Sequence, residues 1–169
     1  KVAQQITDEI TTSDIDTIVS KIAYSMKTTH PDYEKIASRI SVSNLHKNTP
    51  ETFSKAMNIL YSDEAVSQQF IDVVNKKSTE FDNIICNEND FTFDFFGFKT
   101  LEKSYLLKIN QKIVERPQDL FMRVALCIHR DNINNAMQMY HSLSKKEYIH
   151  ATPTLFNSGT KREQLASCF

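Results

Sequence analysis

Cys168 stands near the end of a run, Gln164-Leu165-Ala166-Ser167-Cys168-Phe169, that follows Ala151-Thr152-Pro153-Thr154-Leu155-Phe156-Asn157-Ser158-Gly159-Thr160. A thiol can be oxidised and reduced reversibly by exchange with a second thiol, which no other common side chain does near neutral pH. Thr152, Thr154, Asn157, Ser158 and Ser167 surround it in sequence with hydroxyl and amide groups able to hydrogen-bond a ribose or a phosphate. Pro153 biases the residue before it toward extended geometry and Gly159 permits a sharp turn, so the stretch is expected to run extended, turn, and start a strand at Cys168. Two plainer readings stand beside this one. A strand cysteine is often a small buried hydrophobe, and serine and threonine beside proline and glycine commonly serve as turn formers and caps.

A second constellation joins Thr11-Thr12, Asp16 and Lys47: hydroxyls where one helix ends, a carboxylate one turn into the next, and an ammonium at the end of a third. Hydroxyl and ammonium groups gathered at helix ends can bind a nucleotide's phosphates, although caps and surface salt bridges explain the same residues. Lys161-Arg162 adds positive charge near Cys168, as a solvated pair would. Cys127 falls in the apolar beat of a helix and Cys86 follows Ile84-Ile85, which makes both core thiols. The five histidines have neither H-x-x-x-H spacing nor a carboxylate pairing suited to a metal, so no metal ligand is assigned. Phosphate-loop and dinucleotide motifs are absent, and glycine occurs only 2 times in 169 residues.

That scarcity of glycine, with 4 prolines and interspersed charges, points to a mainly α protein. The formal net charge of -1 gives no field that would draw the chain to nucleic acid or to an anionic membrane. No apolar run approaches the roughly 20 residues needed to span a bilayer, and the first residues do not read as a targeting signal, so a soluble cytosolic protein with reduced thiols is expected. The start at Lys1-Val2-Ala3 and the stop one residue after Cys168 suggest a piece of a longer chain.

The elements that must position these residues can be read from periodicity. Val2, Ile6 and Ile10 predict a short helix, and Ser13 is expected to cap a second one carrying Ile15, Ile18, Val19, Ile22, Ala23 and Met26. Pro31 opens a helix running to Lys47, and Thr49-Pro50 gives a cap-then-proline signal for one bearing Phe53, Ala56, Met57 and Leu60. Val66, Phe70, Val73 and Val74 predict a further helix, followed by a short one at Phe81, Ile84 and Ile85. Asp90 to Phe98 is too dense in aromatics for simple amphipathicity and reads as a buried, irregular knot. Leu101, Tyr105 and Leu106 continue as helix, and Leu107-Lys108-Ile109 and Lys112-Ile113-Val114 flank Asn110-Gln111 like a hairpin. Pro117 opens a helix with Leu120, Phe121, Val124, Ala125 and Ile128 inward, paired with one capped by Asp131.

Several segments together resemble the large subunit of class I ribonucleotide reductase, eukaryotic type. They are His30-Pro31-Asp32-Tyr33, Val42-Ser43-Asn44-Leu45-His46-Lys47, Phe96-Gly97-Phe98-Lys99-Thr100-Leu101-Glu102-Lys103-Ser104-Tyr105-Leu106, Glu115-Arg116-Pro117 and the run from Thr152 to Cys168. The resemblance implies a truncated ATP-cone over 1–49, a helical domain over 50–149, and over 150–169 the lead-in and first strand of an α/β barrel absent from the chain. It implies a cytosolic enzyme that reduces ribonucleoside diphosphates to deoxyribonucleoside diphosphates by thiyl-radical chemistry, for DNA synthesis. Cys168 matches the substrate-reducing cysteine, Thr152 a position near the substrate diphosphate, and Ser167 one beside the ribose. Where many relatives carry serine, Thr152 keeps the hydroxyl. Thr12 and Lys47 match contacts of the allosteric site for ATP or dATP, and Asp16 a position that influences how the two are distinguished.

Also implied by the resemblance are magnesium with the nucleotides, a small subunit whose di-metal centre supplies the radical, thioredoxin or glutaredoxin as reductant, and self-association into dimers or larger oligomers. The radical-bearing cysteine and the basic hairpin that opens the effector site lie outside this chain, so the chain alone is expected to be inactive. The alternative is a non-catalytic helical module for regulation or subunit assembly.

Overall fold

The computed structural model describes residues 9–167; the expected helix over Val2–Ile10 and the strand start at Cys168 lie outside that range, apart from Glu9 and Ile10, which are not helical. The fold is mainly α. Helix α1 (Thr12–Ser25) is capped by Thr11, whose extended backbone lets its Oγ1 accept from the Asp14 amide at 3.1 Å. Ser13, expected at that position, is already inside the helix. Helix α2 (Asp32–Lys47) follows Pro31 and lies against α1, where Ala23 and Ala37 share a small cluster with Phe95. Small side chains allow that close approach.

Helix α3 (Phe53–Ser62) starts from Thr52, not from Thr49-Pro50. The Thr49 hydroxyl is committed elsewhere, donating to the Leu45 carbonyl and accepting from Arg116 Nε, both at 2.9 Å. Ser67 caps α4 (Gln68–Lys76), and α5 (Ser78–Ile84) follows almost at once. The aromatic stretch resolves into regular pieces, a 3-10 helix over Asn87–Thr92 and α6 (Phe95–Ser104). Asp94 makes this possible by accepting from the Gly97 amide at 2.6 Å, and a Cβ on Gly97 would lie 2.9 Å from that carboxylate. Phe95 stacks on Tyr24 of α1 at 4.4 Å, whereas Phe96 is 70% exposed, so the knot is buried on one side only.

Strands β1 (Lys108–Ile109) and β2 (Lys112–Ile113) pair antiparallel as the expected hairpin. Asn110 and Gln111 both take positive φ, 47° and 68°, the signature of a tight hairpin turn without glycine. Helix α7 (Pro117–His129) is buried from Pro117 through Cys127 on every face, so it forms the axis of the core rather than an amphipathic wall. Its partner α8 (Ile133–Ser144) is capped by Asn132, one residue after the expected Asp131. Among the described residues, no helix is long and apolar enough to cross a membrane.

Candidate functional site

The chain returns to α7 through a final strap, residues 151–167. Ala151 is extended, with ψ 155°, and helix α9 (Thr152–Asn157) then replaces the expected extended run. Pro153 falls within the first turn, where an amide hydrogen would have no partner inside the helix, so the ring costs nothing there.

Arg123 of α7 ties down the end of α9. Its guanidinium meets both oxygens of Glu115 at 2.9 Å, and its remaining donors reach the carbonyls of Leu155, at 3.1 Å, and Ser158. Arg123 and Glu115 are fully buried, and Glu115 also accepts from the Leu107 amide at 2.9 Å. Gly159 then turns with φ 72°, its carbonyl accepting from the Ser67 amide at 2.9 Å and its open α-carbon lying against the Phe70 ring. Beyond it Thr160 bridges to Val66, Lys161 pairs with Glu64 at 2.8 Å, and Asn157 donates to the Gln164 carbonyl at 2.7 Å.

Beside this strap lies an open cleft of about 830 Å³, lined among others by Thr152, Phe156, Asn157, Lys161, Arg162 and Gln164. Thr152 is exposed, its Oγ1 lies 3.1 Å from the Tyr105 hydroxyl, and the Tyr105 ring stacks on Phe156 with centroids 4.8 Å apart and planes 10° from parallel. Thr154 and Ser158, grouped with Thr152 on sequence grounds, point inward and bond the carbonyls of Leu165 and Thr154. Ser167 is exposed where the described strap ends, and Cys168 lies outside the described residues. Sequence reasoning assigned Tyr105 only to a helix, because 47 residues separate it from Thr152 and no motif joins them. Lys161 and Arg162, read as solvated surface, both line the cleft.

Two of the four residues in the second constellation, Asp16 and Lys47, come together. Lys47 Nζ meets Asp16 Oδ2 at 2.8 Å, and both border a small cleft of about 330 Å³ with Arg39, Ser43 and Phe91. Thr12 is exposed in the first turn of α1 and is not part of that lining. Ammonium, guanidinium and hydroxyl donors suit phosphate oxygens, and Asp16 alone among the lining side chains carries negative charge.

A buried polar network links α2 to α7. His46 Nε2 lies 2.8 Å from Asp90 Oδ2, and Gln118 Nε2 donates to Asp90 Oδ1 at 3.0 Å. Arg116 reaches the His46 carbonyl at 3.1 Å, while its own amide donates to Asp119 Oδ2 at 2.9 Å. Burial raises Asp90 above the ordinary carboxylate range against the pull of His46 and Gln118, and burial pushes Asp119 up to about 8. Cys127 is buried and bonds Glu163; burial and that carboxylate push its thiol up to about 11. Among the described residues, no group of three metal-ligating side chains is gathered.

Residues 91–163 match the family model described as the ribonucleotide reductase all-alpha domain. The whole chain aligns at 49% identity with the ribonucleoside-diphosphate reductase large subunit of Variola virus, at 45% with that of Danio rerio, and at 44% with the large chain of Schizosaccharomyces pombe. It spans 23% of the length of the first of these and 22% of the other two.

Proposed function

Because the chain belongs to the family of ribonucleotide reductase large subunits, we propose that it forms part of the catalytic subunit of a ribonucleoside-diphosphate reductase. The observation that carries this reading is the strap. It brings Thr152, Asn157, Lys161 and Arg162 to one cleft, where Glu64 pairs with Lys161, then leaves Ser167 exposed one residue before Cys168. Hydroxyl, amide and cationic groups on one wall, leading to a thiol, suit a phosphorylated ribose that is to be reduced.

On this proposal Thr152 binds near the diphosphate, Ser167 beside the ribose, and Cys168 reduces. Cys168 and a second thiol from elsewhere in the subunit together give up two electrons and two hydrogens. The 2'-hydroxyl leaves as water, hydrogen replaces it on the sugar, and the two sulfurs join as a disulfide. Thioredoxin or glutaredoxin restores the thiols by exchange, and the small subunit's di-metal centre supplies the initiating radical. Asp16 and Lys47, with Thr12 nearby in sequence, belong to an effector site for ATP or dATP, magnesium accompanying the nucleotides. A cytoplasmic location and self-association into dimers or larger oligomers complete the proposal.

The test is the full-length subunit that carries this chain, assayed with its small subunit for reduction of a ribonucleoside diphosphate, before and after Cys168→Ser. Activity that vanishes with the thiol is the expected result. Activity retained by the Cys168→Ser subunit overturns the role of Cys168, and no activity in the unaltered pair overturns the enzyme reading.

A further inference from the structure

Tyr105 lies at the junction of α6 and the β1–β2 hairpin, and nothing in its own neighbourhood of sequence connects it with the strap. In the fold its ring is clamped against Phe156 and its hydroxyl is 3.1 Å from Oγ1 of Thr152, a residue that lines the cleft. We propose that Tyr105 is a positioning residue: its phenol fixes the Thr152 hydroxyl so that the threonine's proton points to an anionic oxygen of a substrate in the cleft. The proposal rests on the reading of Thr152 as a substrate contact.

The chemistry of the two hydroxyls selects the direction of the bond. A threonine hydroxyl carries one hydrogen and two lone pairs, and a phenol is the more acidic of the two groups. With the phenol donating, Thr152 Oγ1 accepts and keeps its own hydrogen for a third group. An anion such as a phosphate oxygen can only accept, so it needs that hydrogen. The reverse arrangement, Thr152 donating to Tyr105, would turn a lone pair toward the anion and repel it. The phenol-to-threonine-to-anion order therefore satisfies both bonds, and each donor in such a chain polarises the next.

Stacking makes the phenol a fixed reference. Tyr105 is half-buried and parallel to Phe156, and Phe156 belongs to the same short helix as Thr152, four residues on, so ring and hydroxyl are held by one element. Removing only the phenolic oxygen leaves the stack in place and frees the threonine to rotate. That loss acts on binding, because the contact is made to a part of the substrate that does not react.

The test is a two-by-two set, Tyr105→Phe and Thr152→Val singly and together, with Thr152→Ser as the conservative variant, in the full-length subunit assayed with its small subunit. Tyr105→Phe should raise the KM for the ribonucleoside diphosphate about threefold to tenfold with kcat nearly unchanged, the size expected for one neutral hydrogen bond lost from ground state and transition state alike. In the Thr152→Val background the same change should do nothing further, and Thr152→Ser should restore sensitivity to it. If Thr152→Val raises KM while Tyr105→Phe does not, the positioning role is overturned and the threonine contact stands. If Thr152→Val folds and leaves KM unchanged, the substrate contact itself is overturned and the proposal goes with it. A Tyr105→Phe effect of equal size in both backgrounds assigns the tyrosine a packing role only and also overturns the proposal.

Discussion

Arg123 and Glu115 form a two-pronged ion pair inside the protein, with 2.9 Å between each nitrogen and its oxygen, and the same guanidinium caps the carbonyls of Leu155 and Ser158. Glu115→Ala leaves Arg123 charged and buried without its carboxylate, which should cost about 3–5 kcal/mol of unfolding free energy. Replacing both, Glu115→Leu with Arg123→Met, removes the two charges together and leaves two carbonyls short of a donor and the Leu107 amide short of an acceptor. The double variant should therefore be more stable than Glu115→Ala. Urea unfolding of all three proteins checks this, and a double variant that is the less stable of the two would contradict it.

Gly159 carries two constraints at once, a φ of 72° and a Phe70 ring that would lie 2.8 Å from an added Cβ. Gly159→Ala should destabilise by more than about 1 kcal/mol. Adding Phe70→Leu should recover part of the loss that Gly159→Ala causes, since it relieves the contact but not the backbone strain. Thermal melts of the four proteins in the cycle give the coupling.

Asp119 gives stability a pH dependence. Its folded-state value is raised, to about 8 from 3.8, so the folded protein holds this proton more tightly than the unfolded chain does. The contribution is whole below about pH 4, declines as pH rises through the window up to about 8, and is constant above it. Asp90, raised in the same direction, adds to the decline. Asp119→Asn keeps an oxygen for the Arg116 amide and removes the titration, so it should flatten the slope by up to about 1.4 kcal/mol per pH unit. Urea midpoints across pH 5 to about 9 measure it, and an unchanged slope counts against a raised Asp119.

Two described cysteines should differ sharply toward an alkylating reagent at neutral pH. Cys86, expected in the core from its place after Ile84-Ile85, is exposed, whereas Cys127 is buried and held protonated by burial and Glu163. Mass-resolved labelling should find Cys86 modified first. Glu163→Gln removes a negative charge from beside Cys127 and should speed its labelling. Equal rates at the two thiols would refute the assignment.

The Lys47 and Asp16 pair is largely open to water on the lysine side, so Lys47→Ala should change stability by less than about 1 kcal/mol. Under the proposed effector role it should nonetheless weaken the response of the full-length enzyme to ATP and dATP. Loss of stability with an intact effector response would reverse the assignment of the pair from binding to folding.

Helix positions were largely legible from apolar spacing, because one buried stripe per helix is a local property of the chain. Caps were not, because a cap is chosen by which hydroxyl is free. Thr49 looked like a cap and was taken by Arg116, 67 residues away, leaving the task to Thr52. Helix α9 was hidden for a different reason, since proline suppresses helix at the residue before it yet fits a first turn that tertiary contacts hold in place. At the candidate site, Thr152 stood out through the company of other hydroxyls. The fates of Thr154 and Ser158, which turn inward, and the arrival of Tyr105 depend on long-range packing that no local pattern encodes.

The burial of α7 on all sides makes it the firmest support of the strap. Leu155, Ser158 and Glu163 are met by Arg123, Cys127 and Arg130, on or just past that helix, while Gly159, Thr160 and Lys161 are held by Ser67, Val66 and Glu64. Backbone amides in the middle of α7 should therefore be among the last to exchange with deuterium, and those of residues 161–167, largely exposed and held by few bonds, among the first. That order of exchange would mean that the end of the strap nearest Cys168 opens without unfolding the helical body.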